Sequence, residues 1–113
     1  MLEVAQVKVE IQNELDTASI SPILESALAM VSLELATNMI KHAKATEAHL
    51  SYHSTETGVE MVAEDNGIGF AKVSDKDLHS IRERLELLGG ELVISHRKNP
   101  TRIELTIPYQ ERK

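Results

Sequence analysis

Alternation of apolar and polar residues with a period of two predicts five strands along the chain. The first strand contains Val7, Val9 and Ile11 and is expected to have one buried face. The second and third strands form a hairpin across a turn at 55–58, and the fourth and fifth form a terminal hairpin across a turn at 97–100. The apolar positions of these later strands are Ala48, Leu50, Tyr52, Val59, Met61, Ala63, Leu92, Ile94, Ile103, Leu105 and Ile107.

Two segments carry the helical repeat instead. A long helix is predicted from Ser21-Pro22, an N-cap followed by a proline at the first helical position, to about Ala43. A second amphipathic helix follows the central hairpin and closes at Gly89-Gly90. The two apolar stripes consist of Leu24, Leu28, Val31, Leu35 and Met39, and of Leu78, Ile81, Leu85 and Leu88.

The order of these elements predicts an α+β fold. Strand, helix, strand, strand, helix, strand, strand builds a two-layer α/β sandwich, with a mixed sheet covered by helices on one face. A length of 113 residues fits one domain, so residues 1–113 are interpreted as a single domain. Residues 110–113 are expected to fray.

Composition narrows the possible functions. The formal net charge is −6 and the basic residues are scattered, which argues against a nucleic-acid partner. The longest apolar runs are far shorter than the roughly 20 residues of a membrane helix, and no secretory signal is recognisable at Met1. The lack of Cys suits a reducing compartment. We therefore expect a cytoplasmic domain without direct membrane contact, which binds any anionic ligand through a few local groups or a metal ion.

One face of the first helix carries candidate chemistry. Glu34, Asn38 and Lys41 fall within an arc of roughly 60° beside the apolar stripe. A carboxylate, an amide oxygen and an ammonium group can together orient a nucleophile, ligate Mg²⁺ and contact phosphate oxygens. An ordinary solvated helix face is the alternative interpretation.

The end of the third strand is a second candidate. Asp65 is followed by Asn66-Gly67-Ile68-Gly69, so a carboxylate lies at a sheet end beside a flexible backbone. The carboxylate can accept a hydrogen bond from an exocyclic amine, and glycines let the backbone approach a flat base. A simple turn that uses Asp, Asn and Gly is the alternative.

These residues resemble a known family. Glu34-Leu-Ala-Thr-Asn38-Met-Ile-Lys41-His42-Ala43 and the later Asp65-Asn66-Gly67-Ile68-Gly69-Phe70 resemble the N-box and first glycine box of the histidine-kinase ATPases. The segment 80–90 is similar to the second-box helix of short-lid sensor kinases of the nitrate-sensing and envelope-stress types. The resemblance implies the Bergerat ATP-binding fold of the GHKL superfamily, with ATP and Mg²⁺ as cofactors.

Carried over by position, the resemblance implies roles for the helix residues. Asn38 would ligate Mg²⁺ through its amide oxygen, and Glu34 would act as a base-like or metal-positioning carboxylate. Lys41 or His42 would contact the phosphates. His42 falls within the apolar stripe, so a buried, hydrogen-bonded imidazole is the alternative for that residue.

The resemblance also implies the remaining nucleotide contacts. Asp65 would accept the adenine amino group, Gly67 and Gly69 would shape the pocket floor and the lid hinge, and Thr101 would approach the base through water. Leu78 is a further candidate at the nucleotide, and Arg82 and Arg84 would contact its phosphates or a partner domain.

Two positions depart from the family pattern. Asp77 and Pro100 stand where the family commonly has glycine, and the segment 71–76 is short even for a short lid. An acidic group near a phosphate pocket adds repulsion, and the loss of a glycine removes backbone freedom. Weak binding or slow lid closure is therefore expected.

In kinases of this kind the γ-phosphoryl group goes to a histidine on a separate dimerisation domain and then to an aspartate of a response regulator. The resemblance thus implies a catalytic fragment, with those two partners and a parent kinase that can be membrane-anchored. Two other functions stay open: a serine kinase of the anti-sigma-factor type and a non-catalytic nucleotide-binding module. Ile81-Arg82-Glu83-Arg84-Leu85 favours the sensor kinases over the first, and an intact Glu34 argues mildly against the second.

Overall fold

The computed structural model describes residues 8–41, 46–67, 76–97 and 100–110, and for residues 40, 41, 76, 77, 96 and 97 it describes the backbone only. The elements follow the predicted order, with a short 3-10 turn at Thr17–Ser19 added. They are β1 Lys8–Glu14, α1 Pro22–Lys41, β2 Glu47–Ser54, β3 Gly58–Asp65, α2 Lys76–Leu87, β4 Glu91–Arg97 and β5 Thr101–Pro108. The α+β fold is confirmed.

The five strands form one mixed sheet in the order β1-β2-β3-β5-β4. β1 runs parallel to β2, and the other neighbours are antiparallel. The parallel pair requires a crossover, which α1 supplies. β5 is the last strand in sequence but lies inside the sheet, between β3 and β4.

The predicted start of the first helix and the predicted end of the second are found, whereas Ala43, the predicted end of the first helix, lies outside the described residues. The hydroxyl of Ser21 accepts a hydrogen bond from Leu24 N at 3.2 Å, which caps the start of α1. After α2, Gly89 adopts φ 77°, and Gly90 N donates to Leu85 O at 2.7 Å. A residue with positive φ and a donor returning to the last turn are typical of a helix C-cap.

The core lies between the helices and one face of the sheet. Alternate residues of β3 and β5 are buried, as the period of two predicts. The helices contribute Leu24, Leu28, Val31, Leu35, Met39, Leu78, Ile81 and Leu85, and the sheet contributes Ala48, Leu50, Val59, Met61, Ala63, Leu92, Ile103, Leu105 and Ile107. Neither described helix has the length and apolar character needed to cross a bilayer.

The prediction of a buried face on the first strand is wrong for the described part of that strand. Every residue of β1 is exposed, including Val9 at 43% and Ile11 at 65%. These two pair with the buried residues Ala48 and Leu50 and therefore lie on the helix side of the sheet. Alternation specifies which residues share a face, but it cannot tell whether another layer covers that face at the sheet edge. Val7 lies outside the described residues.

The helix-free face of the sheet carries a row of ionisable side chains. Glu10, His49, Glu64 and Arg102 form a row across four strands. His49 Nδ1 lies 3.1 Å from Glu10 Oε2, and Arg102 contacts Glu64. Ionisable side chains therefore pair with one another along this face.

Candidate functional site

Two polar side chains lie at one end of the buried face of the sheet. Asp65, the last residue of β3, pairs with Thr101 on β5 and with Ala48 on β2. Asp65 is 6% exposed and Thr101 is 2% exposed, and they are the only buried polar residues in the described part of the chain. Directly paired residues share a face, so both lie on the helix side. Buried polar groups at the end of an apolar sheet face can recognise the polar edge of a flat ligand.

Burial sets the electrostatics of Asp65. Desolvation raises the pKa of this carboxyl above its ordinary value of 3.8, and the Gly67 N–H acts in the opposite direction. That N–H donates to Asp65 Oδ1 at 2.8 Å. A desolvated carboxylate is a strong acceptor for an amine donor, because no bulk water competes for it.

Asn66 fixes the backbone that presents Asp65. Asn66 Oδ1 accepts from the backbone N–H groups of Thr46 at 2.9 Å and Glu47 at 3.0 Å, and Nδ2 donates to Thr46 Oγ1 at 2.9 Å. These bonds fasten the end of β3 to the start of β2. In the sequence Asn66 stands out only as part of a motif, although asparagines in turns commonly bond neighbouring backbone groups.

Asn38 has a buried amide group without a partner. Its Nδ2 is buried and makes no hydrogen bond to any described residue, although the side chain as a whole is half-buried. The two ends of an amide are assigned from their surroundings rather than seen directly, so the oxygen can occupy the same place. Buried amide groups are normally hydrogen-bonded. An orphaned amide on α1 is therefore a fitting place for a ligand atom.

Glu34 is contacted from α2. Ser80 Oγ donates to Glu34 Oε2 at 2.7 Å, and Arg84 Nε lies 3.7 Å from Glu34 Oε1. Arg84 Nη1 also lies 3.0 Å from Met30 Sδ. The contact of Ser80 with Glu34 could not be predicted, because residues 46 positions apart share no local sequence pattern.

The other candidates are distributed differently. Leu78 is 2% exposed and belongs to the core. Arg82 Nη1 donates to the carbonyl of Leu92 on β4 at 3.2 Å. Leu92 pairs with Leu105, in the half of β5 away from Thr101, so the structure does not bring Arg82 to the Asp65–Thr101 pair. Nucleotide contacts by Leu78 and Arg82 stay predictions.

Several candidates cannot be placed. Lys41 ends α1, but its side chain lies outside the described residues, as do His42, Gly69 and the side chain of Asp77. Pro100 is exposed and directly precedes the buried Thr101.

Asn38 is the candidate metal ligand among the described residues. They contain no group of three His, Asp or Glu side chains placed to hold a metal by themselves. Mg²⁺ at nucleotide sites usually keeps water and phosphate oxygens and takes one or two protein ligands. The orphaned amide of Asn38 fits that requirement.

Sequence comparison finds relatives that are named histidine kinases, although no family model matches the chain. Sensor histidine kinase YvfT of Bacillus subtilis is 35% identical over 95 residues, which is 82% of this chain and 25% of that protein. The histidine-protein kinase/phosphatase DegS of Brevibacillus brevis is 36% identical over 90 residues, which is 75% of this chain and 23% of that protein. The chain thus spans about a quarter of the length of these relatives.

Solved structures share the fold. The ATP-binding domain of PrrB from Mycobacterium tuberculosis has a TM-score of 0.65 and 24% identity, covering 93% of this chain and 82% of that one. The catalytic domain of histidine kinase ThkA has a TM-score of 0.62 and 18% identity, covering 89% of this chain and 78% of that one. At these identities the likeness establishes the architecture.

Proposed function

We propose that this chain, a member of the sensor histidine kinase family by its sequence relatives, is a catalytic domain that binds Mg-ATP and donates the γ-phosphoryl group to a histidine on a separate dimerisation domain. The observation that carries the ATP-binding part is the buried Asp65–Thr101 pair at the end of the sheet. Each curated relative described above is named a histidine kinase, which favours this reaction over serine phosphorylation.

Asp65 would recognise the adenine base. Its buried carboxylate would accept a hydrogen bond from the exocyclic amino group, and Thr101 beside it would contact the base through water. Gly67, half-buried, orients the carboxylate through its N–H. Guanine presents a carbonyl oxygen where adenine presents the amine, and two acceptors facing each other repel. We therefore expect ATP to bind more tightly than GTP.

Asn38 and Glu34 would act at the phosphate end. The amide of Asn38 would ligate Mg²⁺, and the metal would supply charge neutralisation for the transferred phosphoryl group. Glu34 would hold the attacking imidazole through a hydrogen bond, as a base-like group, or position the metal. Lys41 and His42 remain candidates for the phosphates. Phosphoryl transfer asks the protein mainly for positioning and electrostatics, which these groups can provide.

The histidine-bearing dimerisation domain and an aspartate-bearing response regulator are the proposed partners, which would place the chain in a two-component system. ATP is cytoplasmic, so we place the domain in the cytoplasm, on a parent kinase that can be anchored in a membrane. Nucleic acid is no part of this proposal, in keeping with a net charge of −6.

Calorimetric titration of the chain with ATP, with and without Mg²⁺, tests the proposal, with GTP as the control for base recognition. We expect saturable ATP binding that Mg²⁺ strengthens, and weaker GTP binding. Equal binding of the two nucleotides would remove the adenine role of Asp65. No binding at millimolar nucleotide would contradict the proposed activity and favour a module that acts through protein contacts.

A further inference from the structure

We propose that Ser80 is a positioning residue for phosphoryl transfer, which holds the carboxylate of Glu34 in its working orientation, and that Arg84 assists as a second contact on the same carboxylate. This inference rests on the proposed function, because its target is the carboxylate assigned to the transfer step. Neither role follows from the local sequence pattern.

The Ser80 contact has the geometry of a strong hydrogen bond. The distance of 2.7 Å between Ser80 Oγ and Glu34 Oε2 is the usual length for an O–H···O bond, and the acceptor is charged. The bond joins α2 to α1. A glutamate on a helix surface otherwise exchanges between rotamers, and a catalytic group that is poorly oriented loses rate. The hydrogen bond from the serine hydroxyl thus restricts the Glu34 side chain to one rotamer before the reaction begins.

Arg84 contacts the other oxygen in a looser way. Its Nε lies 3.7 Å from Glu34 Oε1, which is an ion-pair distance but too long for a hydrogen bond. That Nε is buried and has no hydrogen-bond partner among the described residues. Its Nη1 is directed instead to Met30 Sδ. Oε2 is therefore anchored by Ser80, whereas Oε1 lies at ion-pair distance from a cation without a hydrogen bond to it.

Substitution of Ser80 should affect the rate of phosphoryl transfer and the affinity for nucleotide differently. Ser80 touches Glu34, and no described contact links it to Asp65 or Asn38. Loss of the hydroxyl should therefore lower the rate of transfer and leave nucleotide affinity almost unchanged. A residue that only stabilised the fold would lower both through loss of folded protein.

The test uses the kinase polypeptide that carries this chain together with its dimerisation domain, and measures the rate of histidine phosphorylation at saturating Mg-ATP and, separately, the Kd for ATP. For Ser80→Ala we expect a rate about tenfold lower and a Kd within about twofold. Ser80→Thr keeps the hydroxyl and should restore the rate to within about threefold. Ser26→Ala makes the same chemical change at an exposed position of α1 and is the matched control.

A double-mutant cycle shows whether Ser80 acts through Glu34. In a Glu34→Gln background the remaining rate no longer depends on a carboxylate, so adding Ser80→Ala should change it by less than about twofold. The same loss in both backgrounds, or parental activity of Ser80→Ala, would overturn the inference. Circular dichroism of each variant shows that it is folded.

The outcomes separate this inference from the proposed function. If Glu34→Gln is slow while Ser80→Ala is as fast as the parent, Glu34 keeps its role and only the positioning role of Ser80 fails. If Glu34→Gln is as fast as the parent, the role of Glu34 fails and that of Ser80 fails with it.

Discussion

Asp65 keeps a carboxylate in a place where burial works against its charge. The nucleotide interpretation gives this residue a use, since the same desolvation strengthens a hydrogen bond from the adenine amine. Asp65→Asn keeps the shape and the bond from Gly67, but replaces a charged acceptor. We expect it to weaken ATP binding by roughly 1 to 3 kcal/mol, about five- to a hundredfold or slightly more, measured by calorimetry. Asp16→Asn, which alters an exposed carboxylate that caps the 3-10 turn, is the control. Unchanged affinity in Asp65→Asn would refute the adenine role.

The same substitution should raise stability. Because the pKa of Asp65 is raised in the folded state, the folded chain binds protons more tightly than the unfolded chain from about pH 3.8 up to that raised pKa. Stability therefore falls as pH rises through this window, and the full cost is present above it. Asp65→Asn lacks the cost, so its Tm should exceed that of the parent at neutral pH, with the difference narrowing toward about pH 4. A lower Tm of the variant at neutral pH would contradict this account.

Asn38 is the residue through which Mg²⁺ dependence can be tested. Asn38→Ala should abolish the strengthening of ATP binding by Mg²⁺. It should cost less than about 1 kcal/mol of stability, because its amide nitrogen makes no hydrogen bond among the described residues. Titrations with and without the metal measure the first effect and thermal melts the second. Thr37→Ala, at the preceding residue of α1, is the control. Equal Mg²⁺ dependence in variant and parent would remove Asn38 from the metal site.

Local sequence patterns predict the burial of a residue but not its contacts with distant parts of the chain. The burial of Asp65 could be anticipated because it ends an alternating strand. Ser80 could not, since its partner Glu34 lies on another helix. Asn66 was visible, but a bond to Thr46 requires knowledge of which strands pair.

One row across the sheet shows how coverage differs between elements. The row consists of one residue from each of four adjacent strands, each paired with the next: Ile11 of β1, Leu50 of β2, Ala63 of β3 and Ile103 of β5. Ile11 is 65% exposed at the edge and Ile103 is 4% exposed inside. Ile103→Ala should destabilise the domain by about 2 to 5 kcal/mol, and Ile11→Ala by less than about 1 kcal/mol. Denaturant melts of both variants measure this, and equal losses would show that β1 is covered in solution.

The helices and strands could be predicted because the apolar residues of each recur with the spacing typical of that element. A capping Ser21-Pro22 and a regular apolar stripe predict α1. A second apolar stripe followed by two glycines predicts α2. The partner of each strand was less accessible. Parallel pairing of β1 with β2, and the position of β5 between β3 and β4, depend on contacts between distant segments.

For the whole molecule, ligand binding and stability are linked. A ligand that binds only the folded chain stabilises it by about 2.7 kcal/mol at a hundred times its Kd. For a chain of 113 residues this corresponds to a rise in Tm on the order of 10 °C. Mg-ATP should produce such a shift in a thermal melt, and Mg-GTP a smaller one. A Tm that does not move with Mg-ATP concentration would count against nucleotide binding by the intact domain.

The interior position of β5 has a consequence for how the protein is made. A ribosome delivers β1, β2 and β3 long before β5, yet β3 and β4 have no common neighbour until β5 enters between them. Until β5 is synthesised, β1, β2 and β3 therefore keep part of their apolar surface exposed. Long-range pairing of this kind slows folding. Thr101, which completes the pair with Asp65, arrives with that same strand. A nascent chain would thus become able to bind nucleotide only when β5 pairs with β3 and completes the sheet.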